Sequence, residues 1–349
     1  MTIERDIAPT IPGCTLLEKS DAGGTAELWK AIDAAGNLVA VKVLFPELAA
    51  DAAARKAFED EAALMSEMNH PGIVKCYGHG VCDGRAYSIL EFIDGYTFGR
   101  LLARKGHVSE ANCLLIAESV ASALACAWDE RGIVHCDLKP ENVMINTSGE
   151  VKIIDLGSVY RFGSTDGVQS SETELVGTPA YVSPEQVVGG CGLDCRSDIY
   201  SLGATLYHLA TDQTLFPDAD HAAVAAAHCL EDRKAPDPRD VVPDLSLGFA
   251  CLLESMLVKD RNARLASWAD VFDLCRAVEE GSDLAPRTTS AASSIRLRTD
   301  RAETPPRAPG AATAPARRKP KKRLLLPPRR VIRRWRFPNF SGIKIPIHL

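Results

Sequence analysis

The sequence predicts an α+β fold in which β-strands dominate the first part and helices the second, with a basic tail at the C-terminal end. Short apolar runs with strand-like alternation lie within the first 93 residues. A longer run, with apolar residues at helical spacing, extends from Ser109 to about Arg131. Strands and helices that are segregated in this way are typical of the α+β class. Pro, Arg and Lys are abundant in residues 284–349.

Charge separates the chain into two regions. The formal net charge is −6, yet residues 287–349 hold 17 Lys and Arg against two Asp and Glu, and residues 1–286 hold 23 against 44. An acidic region of this length can bury a large core, whereas charge repulsion and proline oppose folding of the tail. We therefore expect a folded domain over residues 11–283 and a disordered tail over residues 284–349.

Cysteine usage and hydropathy indicate a reducing compartment and no membrane span. The 11 Cys residues are irregularly spaced and form no paired C-x-x-C zinc pattern, which is typical of cytosolic proteins. The N-terminus lacks the apolar core of a signal peptide, and no run of about 18 uncharged apolar residues occurs. We expect a cytoplasmic protein without a transmembrane segment.

The first strands are predicted to form a hairpin followed by a strand that carries a lysine. Leu16 to Ala31 should form the hairpin, with Gly23 and Gly24 in its turn. Glycine lets backbone N–H groups approach an anion closely, although taken alone the segment is an ordinary hairpin turn. Leu38 to Leu44 alternates as a strand. Lys42 lies inside it and needs a partner, unless its side chain reaches water at an edge.

The chemistry is concentrated between residues 133 and 157, with the sequence I-V-H-C-D-L-K-P-E-N-V-M-I-N-T-S-G-E-V-K-I-I-D-L-G. One loop carries Asp137, Lys139 and Asn142, and an apolar β run then leads to Asp155. An amide and a carboxylate offer the hard oxygen ligands that Mg²⁺ prefers. A second carboxylate can take a proton from an attacking hydroxyl, and a lysine can hold a phosphoryl group. The pattern predicts a site for a nucleotide phosphate carried on a divalent metal ion.

The spacing D-L-K-P-E-N, followed by D-x-G after a short hairpin, resembles the catalytic and metal-binding loops of eukaryotic-type, bacterial-like Ser/Thr protein kinases. The resemblance covers roughly residues 11–280. It implies a two-lobed protein-kinase-like fold, with a small antiparallel β lobe over about 11–93 and a larger helical lobe over about 94–283. It also implies transfer of the γ-phosphoryl group of ATP, with Mg²⁺ or Mn²⁺, to Ser and Thr hydroxyls of protein substrates and of the kinase itself.

The resemblance assigns roles to the residues of the catalytic loop. Asp137 would orient or deprotonate the acceptor hydroxyl, and Lys139 would neutralise the γ-phosphate. Thr178 would hydrogen-bond this pair and help to seat the acceptor. Asn142 and Asp155 would hold the metal ion.

The nucleotide would lie between the lobes. Lys42 would bind the α- and β-phosphates and pair with Glu61, on a helix predicted from about Asp51 to Met68. Backbone groups near residue 91 would bind the base. The residues assigned to nucleotide contacts, besides Lys42, are Gly23, Gly24, Leu28, Ala40, Leu90, Glu91, Ile93 and Met144.

Further residues are expected to support the site. Glu185 should form a buried ion pair with Arg264, and Asp198 should fix the backbone of the catalytic loop. His135 is expected to be structural, and Leu156, which replaces the usual Phe, should still pack as an apolar residue.

Cys136 departs from the family, which commonly has an Arg here that pairs with a phosphorylated residue of the activation loop. A thiol cannot form that contact, so we expect activity without phosphorylation of the activation-loop hydroxyls. These hydroxyls belong to Thr165, Ser170, Ser171 and Thr173. The glycine-poor turn and Cys136 leave an alternative open, a pseudokinase scaffold that binds partners without transferring phosphate.

The tail contains Arg329 to Phe337, where apolar and basic residues interleave. Such a segment suits an anionic surface, which could be an acidic protein, an anionic membrane or nucleic acid. The alternative is a solvated basic linker.

Overall fold

The small lobe is built on a five-stranded antiparallel sheet. A computed structural model describes residues 9–20, 24–157, 159–161, 177–189, 192–282 and 294–297. Its first five strands are β1 (Cys14–Lys19), β2 (Ala26–Asp33), β3 (Leu38–Leu44), β4 (Cys76–Cys82) and β5 (Arg85–Glu91). Their spatial order is β1-β2-β3-β5-β4. The alternation predicted for β3 is confirmed, since Val39, Val41 and Val43 are buried and the residues between them are half-buried.

Two helices follow β3, namely α1 (Pro46–Ala49) and α2 (Ala52–Glu67). The Asp51 carboxylate accepts hydrogen bonds from the N–H groups of Ala53 and Ala54, which satisfies donors that the first turn of a helix leaves free. The buried face of α2, including Phe58 and Met65, packs toward β4 and β5. The helix predicted from about Asp51 to Met68 is therefore confirmed.

Helices make up most of the large lobe. They are α3 (Phe98–Lys105), α4 (Glu110–Arg131), α5 (Pro184–Val188), α6 (Cys195–Thr211), α7 (His221–Cys229), α8 (Pro238–Val241), α9 (Leu247–Met256) and α10 (Trp268–Glu279). Helix α6 is buried along almost its whole length and packs against α4 and α9. Gly203 allows this approach, because a Cβ atom there would lie 2.9 Å from the Cβ of Met256. The core of the large lobe therefore surrounds α6.

Short strands frame the segment between α4 and α5. A three-stranded antiparallel sheet contains β6 (Gly95–Thr97), β8 (Val143–Asn146) and β9 (Val151–Ile153), and β7 (Ile133–Val134) pairs with β10 (Tyr160–Arg161). A 3₁₀ turn, Pro140–Asn142, leads into β8. Strand β9 is tied to the segment after α2, because Ile153 exchanges backbone hydrogen bonds of 2.8 Å with Gly72 and Val74. The two lobes implied by the resemblance are present, so the predicted fold class is confirmed.

Helix α4 is the one helix in the described part of the chain that is long and apolar enough to cross a membrane. Its buried residues pack against α6 and α10, as expected for a core helix of the large lobe.

By its internal contacts the chain divides after Leu297. The predicted boundary between residues 283 and 284 stays a prediction, and residues 283–293 and 298–349 lie outside the described residues.

Candidate active site

The backbone of the catalytic loop is held from below by a buried carboxylate on the first turn of α6. Asp198 accepts hydrogen bonds from the backbone N–H groups of His135 and Cys136, at 2.7 and 3.0 Å. Burial outweighs these bonds and raises the pKa of Asp198 to about 6. Cys136 adopts a φ of 66°, which is uncommon for a residue other than glycine. The predicted contact between Asp198 and the loop is confirmed.

The residues assigned to the acceptor hydroxyl converge in one cluster, which we call the acceptor-side cluster: Asp137, Lys139 and Thr178. Lys139 Nζ donates to Asp137 Oδ2 and to Thr178 Oγ1, both at 2.7 Å. Thr178 donates to Asp137 Oδ1 through its N–H at 2.9 Å and its hydroxyl at 2.7 Å. Asn142 Nδ2 donates to the Asp137 carbonyl oxygen at 2.9 Å. The carboxylate of Asp137 is thus held by donors from two separate loops.

A second cluster joins the small lobe to the residues after β9, and we call it the nucleotide-side cluster: Lys42, Glu61 and Asp155. Lys42 Nζ lies 2.8 and 3.0 Å from the two Glu61 carboxylate oxygens and 3.9 Å from Asp155 Oδ1. Burial alone would lower the pKa of Lys42, but the two carboxylates outweigh it and raise the pKa. Burial raises the pKa of Glu61, and Asp155 adds to this effect, although Lys42 opposes it.

Asp155 and Asn142 fit a divalent metal ion. Burial would raise the pKa of Asp155, but Lys42 and the backbone N–H of Gly157 lower it, so its carboxylate is ionised. The Asp155 side chain is 40% exposed, and Asn142 is fixed nearby because Ile154 N donates to its carbonyl oxygen at 3.0 Å. No group of three or more His, Cys, Asp or Glu suited to a metal occurs among the described residues. Two protein oxygens agree with an ion such as Mg²⁺, which takes its other ligands from water and phosphate.

Several of the residues assigned to the nucleotide lie on strands β2, β3, β5 and β8. Across the ladders Leu28 pairs with Lys42, and Ala40 pairs with Leu90. Met144 lies on β8 opposite Thr97. Gly24 has open space at the position of a Cβ, and Gly23 lies outside the described residues.

At the end of β5, the N–H of Glu91 donates to the Lys75 carbonyl oxygen at 2.8 Å, and its side chain bonds Lys152 at 2.9 Å. A base contact by Glu91 would therefore use its carbonyl oxygen. Ile93 is half-buried just after β5.

A buried ion pair closes the far end of the loop that carries Thr178. Arg264 Nη1 and Nη2 donate to the two Glu185 carboxylate oxygens at 2.7 and 3.0 Å, and Ser197 Oγ donates to the same carboxylate at 2.8 Å. Burial would raise the pKa of Glu185, but Arg264 outweighs it and lowers the pKa. The predicted pair of Glu185 and Arg264 is confirmed.

Gln186 supports the site but was not predicted from the sequence. Its Nε2 donates to the Cys136 carbonyl oxygen at 2.7 Å, which ties helix α5 to the catalytic loop. The signal available in the sequence was S-x-x-Q, the capping-box pattern, since Ser183 and Gln186 bond one another in that way. His135 is buried, and its Nδ1 accepts from the N–H of Asp137 at 3.3 Å. The activation-loop hydroxyls lie outside the described residues.

Comparison with known proteins gives similarity to one family. Residues 17–274 match the family model of the protein kinase domain. A probable serine/threonine-protein kinase of Streptomyces coelicolor is 35% identical over 250 residues, which cover 70% of this chain and 37% of that protein. Serine/threonine-protein kinase PknA of Mycobacterium tuberculosis is 33% identical over 283 residues, covering 79% and 63%. The chain thus spans less than two thirds of the length of these relatives.

Among solved structures, the kinase domain of Mycobacterium tuberculosis PknI superposes with a TM-score of 0.58 at 23% identity, covering 76% of this chain and 96% of that one. This likeness supports the two-lobed fold.

Proposed function

The chain belongs to the protein kinase domain family, and from this membership we propose that it transfers the γ-phosphoryl group of ATP to Ser and Thr hydroxyls of proteins. The observation that carries the proposal is the acceptor-side cluster, in which Asp137, Lys139 and Thr178 bond one another. Relatives named as serine/threonine-protein kinases support the choice of acceptor.

The acceptor-side cluster would position the incoming hydroxyl. Asp137 is anchored on Oδ1 by Thr178 and on Oδ2 by Lys139, so its carboxylate can accept the proton of a Ser or Thr hydroxyl at a defined place. The Lys139 ammonium would neutralise charge on the γ-phosphoryl group. Because little covalent chemistry falls to the protein, catalysis would come mainly from positioning and charge.

The nucleotide-side cluster would bind the phosphates. Lys42 is raised in pKa and stays protonated, so it can hold the α- and β-phosphates while Glu61 fixes its direction. Asn142 and Asp155 would hold Mg²⁺, or Mn²⁺ in its place. A bound metal ion supplies further neutralisation of phosphate charge. The adenine would lie against Leu28, Ala40 and Met144, with Leu90 behind it and backbone groups of Glu91 and Ile93 at its edge.

The domain is proposed to act in the cytoplasm, with the division into a kinase domain over 11–283 and a tail over 284–349. The basic composition of the tail supports binding to an anionic surface, for which an acidic protein, an anionic membrane and nucleic acid are the candidates. Truncation after Leu297 should abolish salt-sensitive binding to anionic vesicles or DNA. Binding that survives this truncation would contradict a role for the tail.

Label transfer from γ-labelled ATP tests the function. Full-length wild type with Mg²⁺ and a generic protein acceptor should incorporate label, and hydrolysis of the product should release phosphoserine and phosphothreonine. Asp155→Ala should incorporate at least about 10³-fold less, because a metal ligand is lost. No label with wild type, in the presence of either metal, would overturn the proposal.

A further inference from the structure

Residues 294–297 return to the large lobe, beyond α10 and beyond residue 274, where the match to the family model ends. We call them the return segment. Ala235 N donates to the Ser294 carbonyl oxygen at 2.7 Å, and Arg296 N donates to the Ala235 carbonyl oxygen at 2.9 Å. Ser294 N donates at 2.9 Å to the carbonyl oxygen of Leu257, which directly follows α9. The segment therefore forms an isolated parallel β-bridge, between Ile295 and Ala235, with the loop before α8, and it satisfies a carbonyl at a helix end.

The segment is anchored by burial against the large lobe. Ser294 and Ile295 are 0% and 2% exposed. The loop that receives them is held by Lys259, whose ammonium donates to the carbonyl oxygens of Ala227 and Arg233 at 2.9 and 2.8 Å. Removal of the isoleucine side chain from water stabilises the docked state, so the contact does not depend on hydrogen bonds alone.

The Ser294 side chain begins a chain of contacts that leads to the acceptor-side loop. Ser294 Oγ lies 2.7 Å from Tyr200 Oη, and Tyr200 Oη lies 2.8 Å from His228 Nδ1. The His228 ring lies beside the backbone carbonyl groups of Pro179 and Ala180. These two residues directly follow Thr178 of the acceptor-side cluster.

The direction of these hydrogen bonds follows from the charge state of the histidine. Burial, with the nearby charge of Lys259, lowers the pKa of His228 to about 3, so the ring is neutral near pH 7 and offers one donor and one acceptor. Nε2 is buried without a hydrogen-bond partner in the described part of the chain. With the ring proton on Nε2, toward the carbonyl groups, Nδ1 accepts from the Tyr200 hydroxyl. Tyr200 in turn accepts from the Ser294 hydroxyl.

Tyr200 also reaches the other end of the acceptor-side loop. The Arg264 guanidinium lies 4.9 Å from the centre of the Tyr200 ring, and the same guanidinium holds Glu185. Tyr200 therefore contacts both the histidine that lies beside Pro179 and Ala180 and the arginine that holds Glu185.

We propose that the return segment is a positioning element for the protein acceptor. Through Tyr200 and His228, Ser294 and Ile295 hold the loop after Gly177 in the conformation that presents Thr178 to the acceptor hydroxyl. The inference rests on the proposed kinase function and deepens it. None of these contacts involves the nucleotide-side cluster, so loss of the segment should affect the acceptor and spare ATP.

Steady-state kinetics with both substrates varied test the proposal on the full-length chain. Ser294→Ala removes the hydroxyl but keeps the segment docked, Ile295→Asp undocks it, and Ser293→Ala is the matched control. Ser294→Ala should lower kcat/KM for the protein acceptor about five-fold, the effect of one buried hydrogen bond, and Ile295→Asp should lower it by about ten-fold or more. KM for ATP should stay within about two-fold of wild type in all three variants, because the return segment does not contact the nucleotide-side cluster. A uniform destabilisation of the fold would instead affect both substrates alike.

Hydrogen exchange of the same variants separates the outcomes. Ile295→Asp should speed exchange in residues 177–188 and 235–241, and leave β3 unchanged. Equal losses of kcat/KM for ATP and for the protein acceptor would overturn the proposal. So would an unchanged kcat/KM for the acceptor in a variant whose Ala235 amide exchanges faster, since the segment is then undocked without effect. If wild type transfers no phosphate, the kinase function fails. Exchange in residues 177–188 then still decides the coupling, since unchanged rates there would overturn it.

Discussion

The two clusters of the active site are built on different principles. The nucleotide-side cluster joins Lys42, Glu61 and Asp155 from a strand, a helix and a loop, and it consists of charged side chains that meet. The acceptor-side cluster uses two loops whose backbones are fixed by Asp198 and by the pair of Glu185 with its arginine. The geometry of the nucleotide-side cluster depends on charged side chains at the site itself. The geometry of the acceptor-side cluster depends on charged side chains buried under its loops.

Burial shows the same difference. The Lys42 and Glu61 side chains are 20% and 10% exposed. Beneath the acceptor side, Arg264 is 0% and Asp198 1% exposed, and Glu185, the partner of Arg264, is 14% exposed. A buried charge that loses its partner destabilises the whole fold, while a charge that faces a ligand site can be removed at little cost in stability. Changes beneath the acceptor side should therefore reduce activity and stability together, and changes on the nucleotide side should reduce activity alone.

The largest effect on stability is expected from Glu185→Ala. It leaves the Arg264 guanidinium buried without its carboxylate, which should lower the free energy of unfolding by about 3–5 kcal/mol. Urea denaturation measures this change. Asp60→Ala is the matched control, because Lys56 and Asp60 form an exposed i,i+4 pair that contributes under about 0.5 kcal/mol. If Glu185→Ala lowers the free energy of unfolding by less than about 1 kcal/mol, the contrast between the two clusters is removed.

A somewhat smaller effect is expected from acid. The pKa of His228 falls from 6.5 to about 3 on folding, so the unfolded chain binds the extra proton, and this residue's contribution to stability is lost as the pH falls below about 6.5. Asp198, whose pKa rises to about 6, acts in the opposite sense between about pH 6 and 4. Asp198 is present in both wild type and His228→Gln, so its contribution cancels when the two proteins are compared.

Between pH 7 and pH 4 the free energy of unfolding of wild type should fall by about 3 kcal/mol more than that of His228→Gln. Denaturation curves at the two pH values measure the difference. Parallel pH profiles would contradict a neutral, buried His228 under the acceptor-side loop.

The smallest effect is expected from the activation-loop hydroxyls. Cys136 is buried and its carbonyl oxygen accepts from Gln186, and burial raises the pKa of its thiol well above the usual range, so it offers no charge for a phosphorylated partner. The quadruple alanine variant of Thr165, Ser170, Ser171 and Thr173 should keep activity within about two-fold of wild type, since no charge-assisted contact is lost. A loss of activity of about ten-fold or more would show that phosphorylation acts through a residue other than Cys136.

The sequence was sufficient where residue type and spacing carry the information. The alternation of β3 predicts a half-buried strand with Lys42 inside it, and the resemblance assigns Glu61, on the helix predicted from about Asp51 to Met68, as its partner. Contacts made by charged side chains, such as those of Asp198, follow from the resemblance because the side chains themselves are in the motif.

Contacts to backbone groups were not predictable. Gln186 donates to a carbonyl oxygen 50 residues away in the sequence. Every residue has a backbone carbonyl, so the residue type at position 136 does not predict this contact. The N–H of Glu91 is likewise used by Lys75. The return segment is too short to show a periodic pattern, and it lies within the region that was predicted as the tail. Only its tertiary contacts with Ala235 and Tyr200 reveal it.

The most direct test compares Lys42→Met with Thr178→Ala in one set of two-substrate kinetics and ATP-dependent thermal stabilisation. Lys42→Met should reduce phosphate transfer by at least about 10²-fold and weaken stabilisation by ATP with Mg²⁺, with little change in stability without nucleotide. Thr178→Ala should keep the wild-type stabilisation by ATP but lower kcat/KM for the protein acceptor by about ten-fold. Loss of ATP stabilisation in Thr178→Ala, or wild-type transfer by Lys42→Met, would contradict the division of the site into a nucleotide side and an acceptor side.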